Sequence, residues 1–300
     1  MGRTLSASPA GGRPPTLARR PSGSVAGISG ARPGTSSDRL ERQPVMNPNN
    51  RCDLLVVSPH TDDLEIGLGG MAAALAARGR KVWAVDLTRG ELGSNATVQE
   101  RWREAAEASR ILGLTGRLQL DLPDGFLDAA NREHLLPLVW VLRALCPRWV
   151  VSAPDPVRHP DHRAGAELAR KACFLARLVR LRVTPPAHHL WTGGAELPQA
   201  VEAFAPESCF HVCADGEDPA LLFDISDHWE TKRRSLMAYA SQFSRAPGRR
   251  ATMINDTAFL EKIERRARTW GRLAGCAFAE ALGGAPRPVL DDLPAQRWRS

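Results

Sequence analysis

No apolar run in this sequence approaches the roughly 18 residues that a membrane-crossing helix needs, so no helical span is expected. No C-x-x-C occurs among the cysteines at 52, 146, 173, 209, 213 and 276. The closest pair, Cys209 and Cys213, brackets His211 but has no second ligand pair nearby, which argues against a zinc knuckle. Several of these thiols sit inside apolar runs, so reduced, buried cysteines and a reducing, cytoplasmic setting are expected rather than a disulfide framework. A dense basic block is also missing. The net charge of +7 is concentrated at the start, where residues 1–45 carry seven arginines against Asp38 and Glu41. That segment accounts for +5, which leaves +2 for the rest (7 − 5) and gives nucleic-acid binding little support. The same 45 residues are rich in Gly, Pro, Ser and Ala and lack an apolar signal region. They read as a disordered tail, or as sequence upstream of a true start at Met46, with an organellar transit peptide as the other reading.

From residue 52 onward the pattern alternates. "CDLLVVS", "KVWAVDLT", "RLQLDL" and "RWVVSAP" read as strands. Between and after them, "GGMAAALAARG", "VQERWREAAEASRILG", "NREHLLPLVWVLRALC" and "DHRAGAELARKACFLARLVR" read as helices. Such alternation implies right-handed crossovers and an α/β fold with a Rossmann-like, doubly wound, mostly parallel sheet. The second half adds strands at "HHLWT", "SCFHVC" and "LLFDIS", and helices at "DHWETKRRSLMAYASQF" and "DTAFLEKIERRARTWGRLAG". "CAFAEALGG" reads as a last strand leading to an exposed C-terminus. No linker divides the halves, so residues 46–300 are expected to form one domain.

Two polar clusters carry the chemistry. "SPHTDDLEIGLGG" follows the first strand and "RHPDHRAG" follows the fourth. Ligands in open α/β sheets bind beyond the carboxyl ends of the strands, and both clusters fall there. His60 and Asp63, three apart at a tight turn, can converge on one point, while Asp62 points elsewhere. In "HPDH", one of His159 and His162 can complete a site. Two histidines, one aspartate and an open position make a catalytic zinc arrangement, with water in the open position. A free carboxylate beside it serves as general base. Each cluster alone also reads as a solvated turn or a helix N-terminus. Gly67, Gly69 and Gly70 resemble a dinucleotide fingerprint, but Ala72 breaks the pattern and Asp62, Asp63 and Glu65 would repel a pyrophosphate. Packing of the first helix on the sheet is the better account of these glycines. On the same edge, Glu91, Asn95 and Arg101 are candidate pocket residues, and Asp124 is a candidate hydrogen-bonding partner for a sugar hydroxyl.

With these residues assembled, the chain resembles the LmbE/PIG-L family of zinc-dependent N-acetylglucosaminyl deacetylases. Its members carry His-Pro-Asp-Asp and His-x-Asp-His motifs, which here read "HTDD" and "HPDH". The likeness runs from about residue 52 to 291 and is greatest to the branch that deacetylates N-acetylglucosaminyl malate in bacillithiol biosynthesis. It rests on "DLTRGELGSNATVQER", "RHPDH", "FDISDHWETKRRSLMAYASQF" and "EALGGAPRPVL". The resemblance implies that His60, Asp63 and His162 ligate Zn2+, with Fe2+ the alternative metal. It implies Asp62 as general base, and His159 as the group that stabilises the oxyanion and protonates the leaving amine. It implies substrate contacts from Arg101 and Asp124, and a mobile tyrosine at the pocket rim, which the only tyrosine, Tyr239, would supply. A malate aglycone would need cations, for which Arg101 and Arg158 stand near the active edge. The family also suggests a homo-oligomer, trimer or hexamer, acting on a small amino-sugar glycoside. Thr61 departs from the usual proline. A non-catalytic sugar-binding protein and a nucleotide-dependent enzyme are the competing classes.

Overall fold

The computed structural model describes residues 52–154, 159–193, 197–245 and 247–284. The N-terminal tail, Met46 and Arg158 lie outside the described residues. The first apolar run forms strand β1 (Leu54–Ser58), buried along its whole length. Uninterrupted burial is what a central parallel strand covered on both faces requires. Leu55 and Val57 enter one core, and Leu54 and Val56 enter the other, as the two-residue strand period demands.

Strand β1 is flanked by parallel β2 (Val82–Thr88) and β4 (Trp149–Ser152), with Leu54 opposite Val82 and Trp149. Beyond β2 lie parallel β3 (Gly116–Leu122) and then antiparallel β5 (His189–Thr192) at the edge. Beyond β4 lies parallel β6 (Ser208–Val212). Strand β8 (Ala279–Gly283) sits between β6 and β7 (Leu221–Asp224), antiparallel to both. The sheet order is β5-β3-β2-β1-β4-β6-β8-β7. Helices α3 (Arg132–Leu145) and α4 (Pro160–Leu175) pack on one face. On the other pack α1 (Asp63–Ala77), α2 (Val98–Leu112), α5 (Trp229–Met237), α6 (Ala240–Phe243) and α7 (Thr257–Ala274). This is the expected α/β, doubly wound, mostly parallel sheet. Among the described residues no helix is long and apolar enough to cross a membrane.

Three segments differ from the sequence reading. Helix α1 begins at Asp63, six residues before the expected Gly69, so Gly67 too lies inside it. The glycines serve packing. A Cβ on Gly70 would come within 2.6 Å of Ile225, and one on Gly67 within 3.0 Å of Val212. Helix α4 stops at Leu175 because buried Arg143 turns the chain, donating to the carbonyls of Ala176, Leu178 and Leu181. The single helix expected over "DHWETKRRSLMAYASQF" is broken at Tyr239, where φ −83° and ψ 63° leave the helical region. The last expected strand is present as β8, inside the sheet, and the C-terminus it leads to lies outside the described residues.

Candidate active site

Strand order reverses at β1, with β2 on one side and β4 on the other. A crevice forms at the carboxyl ends where neighbouring connections diverge. "HTDD" leaves β1 there and "HPDH" follows β4 at the same edge. The fold brings ligating atoms of His60, Asp63 and His162 within 4.8 Å of one another. Asp63 Oδ2 lies 3.4 Å from His60 Nδ1, and its Oδ1 lies 3.2 Å from His162 Nε2. The same Oδ2 accepts a hydrogen bond from the His60 backbone N–H at 2.9 Å, which fixes the turn.

The other ring nitrogen of His60, Nε2, faces Asp124 Oδ1 at 3.2 Å and Asp161 Oδ2 at 3.3 Å. A metal-ligating histidine is oriented in this way, with its far nitrogen on a carboxylate. Asp161 is fully buried and is itself fixed by the backbone N–H groups of Gly125 and Leu127. Asp124 accepts from the Leu92 N–H, and Glu91 accepts from the Asp124 N–H. A second close trio, His60, His159 and Asp161, exists. Its aspartate is already committed to two backbone donors and to His60, so the first trio is the better metal site.

Electrostatics agree with a cation site. Burial opposes the His60 imidazolium, yet hydrogen bonds to Asp124, Asp161 and Asp63 outweigh it and hold its pKa well above the ordinary value. Burial also opposes the Asp63 carboxylate, but His162 and His60 hold it well below the usual range. Burial likewise opposes the His162 imidazolium, but the charge of Asp63 and its hydrogen bond together raise the His162 pKa. The cluster therefore attracts positive charge through a nitrogen–oxygen donor set suited to a divalent transition metal.

Asp62 follows different rules from Asp63. It occupies the N-cap of α1, where aspartate usually bonds the helix backbone, but it makes no such bond. The residue is 3% exposed. Its Oδ1 lies 3.5 Å from Arg101 Nη2, and its Oδ2 has no partner among the described residues. An unpartnered buried carboxylate oxygen is costly and marks a site where another group docks. Arg101 is placed by α2, whose start is fixed by a capping box between Thr97 and Glu100.

His159 is exposed at the rim, edge-on to His60 with ring centroids 4.7 Å apart. Its Nδ1 accepts from the Asp161 N–H and caps α4, so Nε2 is the nitrogen left for chemistry. Burial, then the neighbouring His60 and His162, lower its pKa.

Two expected placements need correction. Tyr239 is not at the rim: it is 0% exposed, and its hydroxyl donates to the Thr61 carbonyl beneath the turn. Asn95 does not line the site but bonds Arg250 through its carbonyl and N–H groups on an exposed loop. The sequence reading gave no role in the site to Asp161 or to the buried set Arg117, Asp86 and Glu65. Arg117 donates to Asp86 and Glu65 and to the Thr61 carbonyl. A charged residue inside the "GRLQLDL" strand was the available signal.

Comparisons with known proteins agree with this geometry. Residues 55–173 match the family model described as PIG-L: GlcNAc-PI de-N-acetylase. The chain is 30% identical to the diacetylchitobiose deacetylase of Thermococcus kodakarensis over 63% of its length and 70% of that protein. It is 30% identical to the 1D-myo-inositol 2-acetamido-2-deoxy-alpha-D-glucopyranoside deacetylase of Nocardia farcinica, over 68% of its length and 85% of that protein. Among solved structures, the conserved protein TT1542 from Thermus thermophilus superposes with a TM-score of 0.68 at 36% identity. That alignment covers 82% of this chain and 99% of TT1542.

Proposed function

Because the chain belongs to the PIG-L family of deacetylases, we propose that it hydrolyses the N-acetyl group of an N-acetylglucosaminide, with Asp62 as the base. The observation that carries this reading is the unpartnered Oδ2 of Asp62 beside the His60, Asp63 and His162 cluster. Those three residues would hold the metal, for which we propose Zn2+, with Fe2+ as the alternative. Bound there, a divalent metal supplies Lewis-acid polarisation and a water of lowered pKa.

The chain's own residues do the rest. Asp62 Oδ2 accepts a proton from the attacking water while Arg101 keeps Oδ1 engaged. The water oxygen bonds to the acetyl carbon. His159, whose Nδ1 gives up the Asp161 N–H when the ring is protonated, hydrogen-bonds the developing oxyanion through Nε2–H and then delivers that proton to the leaving nitrogen. The C–N bond breaks, giving free amine and acetate. The lowered pKa of His159 makes its imidazolium a willing donor. Asp124 and Asp161 keep the His60 ring in place throughout.

The aglycone we propose is malate. The likeness of "RHPDH" and the α2 loop to that branch supports it, and Arg158 would be the cation for its carboxylates, since Arg101 is already held by Thr61 and Asp62.

Two measurements test the reading. Asp62→Ala is expected to keep its metal while turnover drops at least about 1,000-fold, whereas Asp63→Ala is expected to lose the metal. Metal loss with Asp62→Ala instead would exchange the roles. For substrate, kcat/KM is compared among N-acetylglucosaminyl malate, diacetylchitobiose and the inositol glycoside. A preference for either of the latter two overturns the malate assignment.

A further inference from the structure

Thr61 stands where the resembled motif carries proline, and its side chain makes a contact that proline cannot make. Its Oγ1 accepts a hydrogen bond from Arg101 Nε at 3.1 Å. From the same guanidinium, Nη2 lies 3.5 Å from Asp62 Oδ1. All three residues are buried, with Thr61 at 0%, Asp62 at 3% and Arg101 at 5% exposure. The Thr61 carbonyl is fixed independently, accepting from Arg117 Nη2 and the Tyr239 hydroxyl. The backbone of the turn is thus held from beneath, and the hydroxyl is left to engage Arg101.

We infer that Thr61 is a positioning residue whose hydroxyl orients Arg101, which in turn holds Asp62 by Oδ1 and leaves Oδ2 open. A guanidinium is planar, so fixing the direction of its Nε–H fixes where Nη2 points. Backbone also crowds Arg101. A Cβ on Gly90 would come within 2.6 Å of Nη1, and one on Gly93 within 2.9 Å. Gly90 also has φ +64°, a conformation suited to glycine. Arg101 is therefore crowded by two glycines and held by one hydroxyl. Proline at position 61 would stiffen the turn through φ and leave Nε–H without this acceptor. The inference rests on Asp62 acting as the base.

The test uses the full chain with Thr61→Ser, Thr61→Val and Thr61→Pro, each with metal content measured. Thr61→Ser keeps the acceptor and is expected to stay within about two-fold of wild type. Thr61→Val keeps the shape and loses the acceptor. Its kcat is expected to fall about ten-fold or more, with KM and metal content unchanged. Thr61→Pro is expected to follow Thr61→Val. An arginine-labelled NMR spectrum supplies a readout independent of turnover. The Arg101 Nε–H signal is expected to be protected from solvent exchange in wild type and Thr61→Ser, and to lose protection in Thr61→Val. Wild-type kcat in Thr61→Val, or a change confined to KM, overturns the inference. The Asp62→Asn background separates it from the reading beneath it. Thr61→Val should cost nothing further there, and an additive loss shows that Thr61 does not act through Asp62. If Asp62→Asn alone retains full turnover, the base assignment itself fails, while the NMR signal still decides whether Thr61 orients Arg101.

Discussion

Tyr239 and Asp62 are both almost fully buried, yet their polar atoms are used differently. The Tyr239 hydroxyl is spent on the Thr61 carbonyl, whereas Asp62 Oδ2 has no partner among the described residues. Tyr239→Phe therefore removes one of two donors to that carbonyl and leaves Arg117 in place. The expected cost is about 1 kcal/mol of stability, or roughly 2–4 °C in Tm, with metal content unchanged. A variant with unaltered Tm and lost turnover would put Tyr239 back in contact with substrate. At this scale the meeting of His60, Asp63 and His162 was legible in the sequence, because they lie in two short motifs that chain direction places at one edge. The roles of Asp161, Arg117 and Tyr239 were not legible. Each is defined by a partner dozens of residues away, and no local pattern encodes such a pairing.

Helices and strands of the first half were legible through their apolar period and their caps. Gly113, for example, ends α2 in the left-handed conformation that the "ILG" pattern implies. The break between α5 and α6 was not, since Tyr239 leaves the helical region where its side chain enters the core. Capping also carries a pH dependence. Asp256 caps α7 by accepting from the Ala258 N–H, and that bond, with help from Arg245, lowers its pKa. A carboxyl with a lowered folded-state pKa adds stability above its ordinary value, and that stability is lost as pH falls through the folded one. Asp256→Asn retains a capping oxygen but does not titrate. It is expected to match wild type closely in Tm at about pH 7, and to lose less Tm than wild type between about pH 5 and pH 3. Parallel losses would remove Asp256 from the acid response.

Across the whole molecule, the parallel half of the sheet follows from strand–helix alternation, but the place of β8 does not. Pairing order among late strands is set by long-range packing, and a strand pattern does not state its neighbours. The position matters because β8 carries Glu280. Helix α1 leaves helical geometry at Leu68, and Glu280 accepts from the backbone N–H groups of Gly70 and Met71 just beyond. Buried Lys232 donates to Glu280 and to the Ile66 carbonyl on the other side of the break. Removing the carboxylate strands a buried ammonium and two backbone donors at once. Glu280→Ala is therefore expected to cost about 3–5 kcal/mol, read as a fall in the urea midpoint. A cost below about 1 kcal/mol would mean that the break in α1 does not depend on it.

The Glu280 bond to α1 also has a consequence in time. Asp63, in the first turn of α1, is synthesised more than 200 residues before the side chain that stitches the break in that helix. A ribosome-bound chain can pair β1 with β2 early, but α1 waits for β8 before its kink is satisfied. The His60–Asp63 turn is made early, and the break in the helix that follows it is satisfied only when the last described strand has emerged.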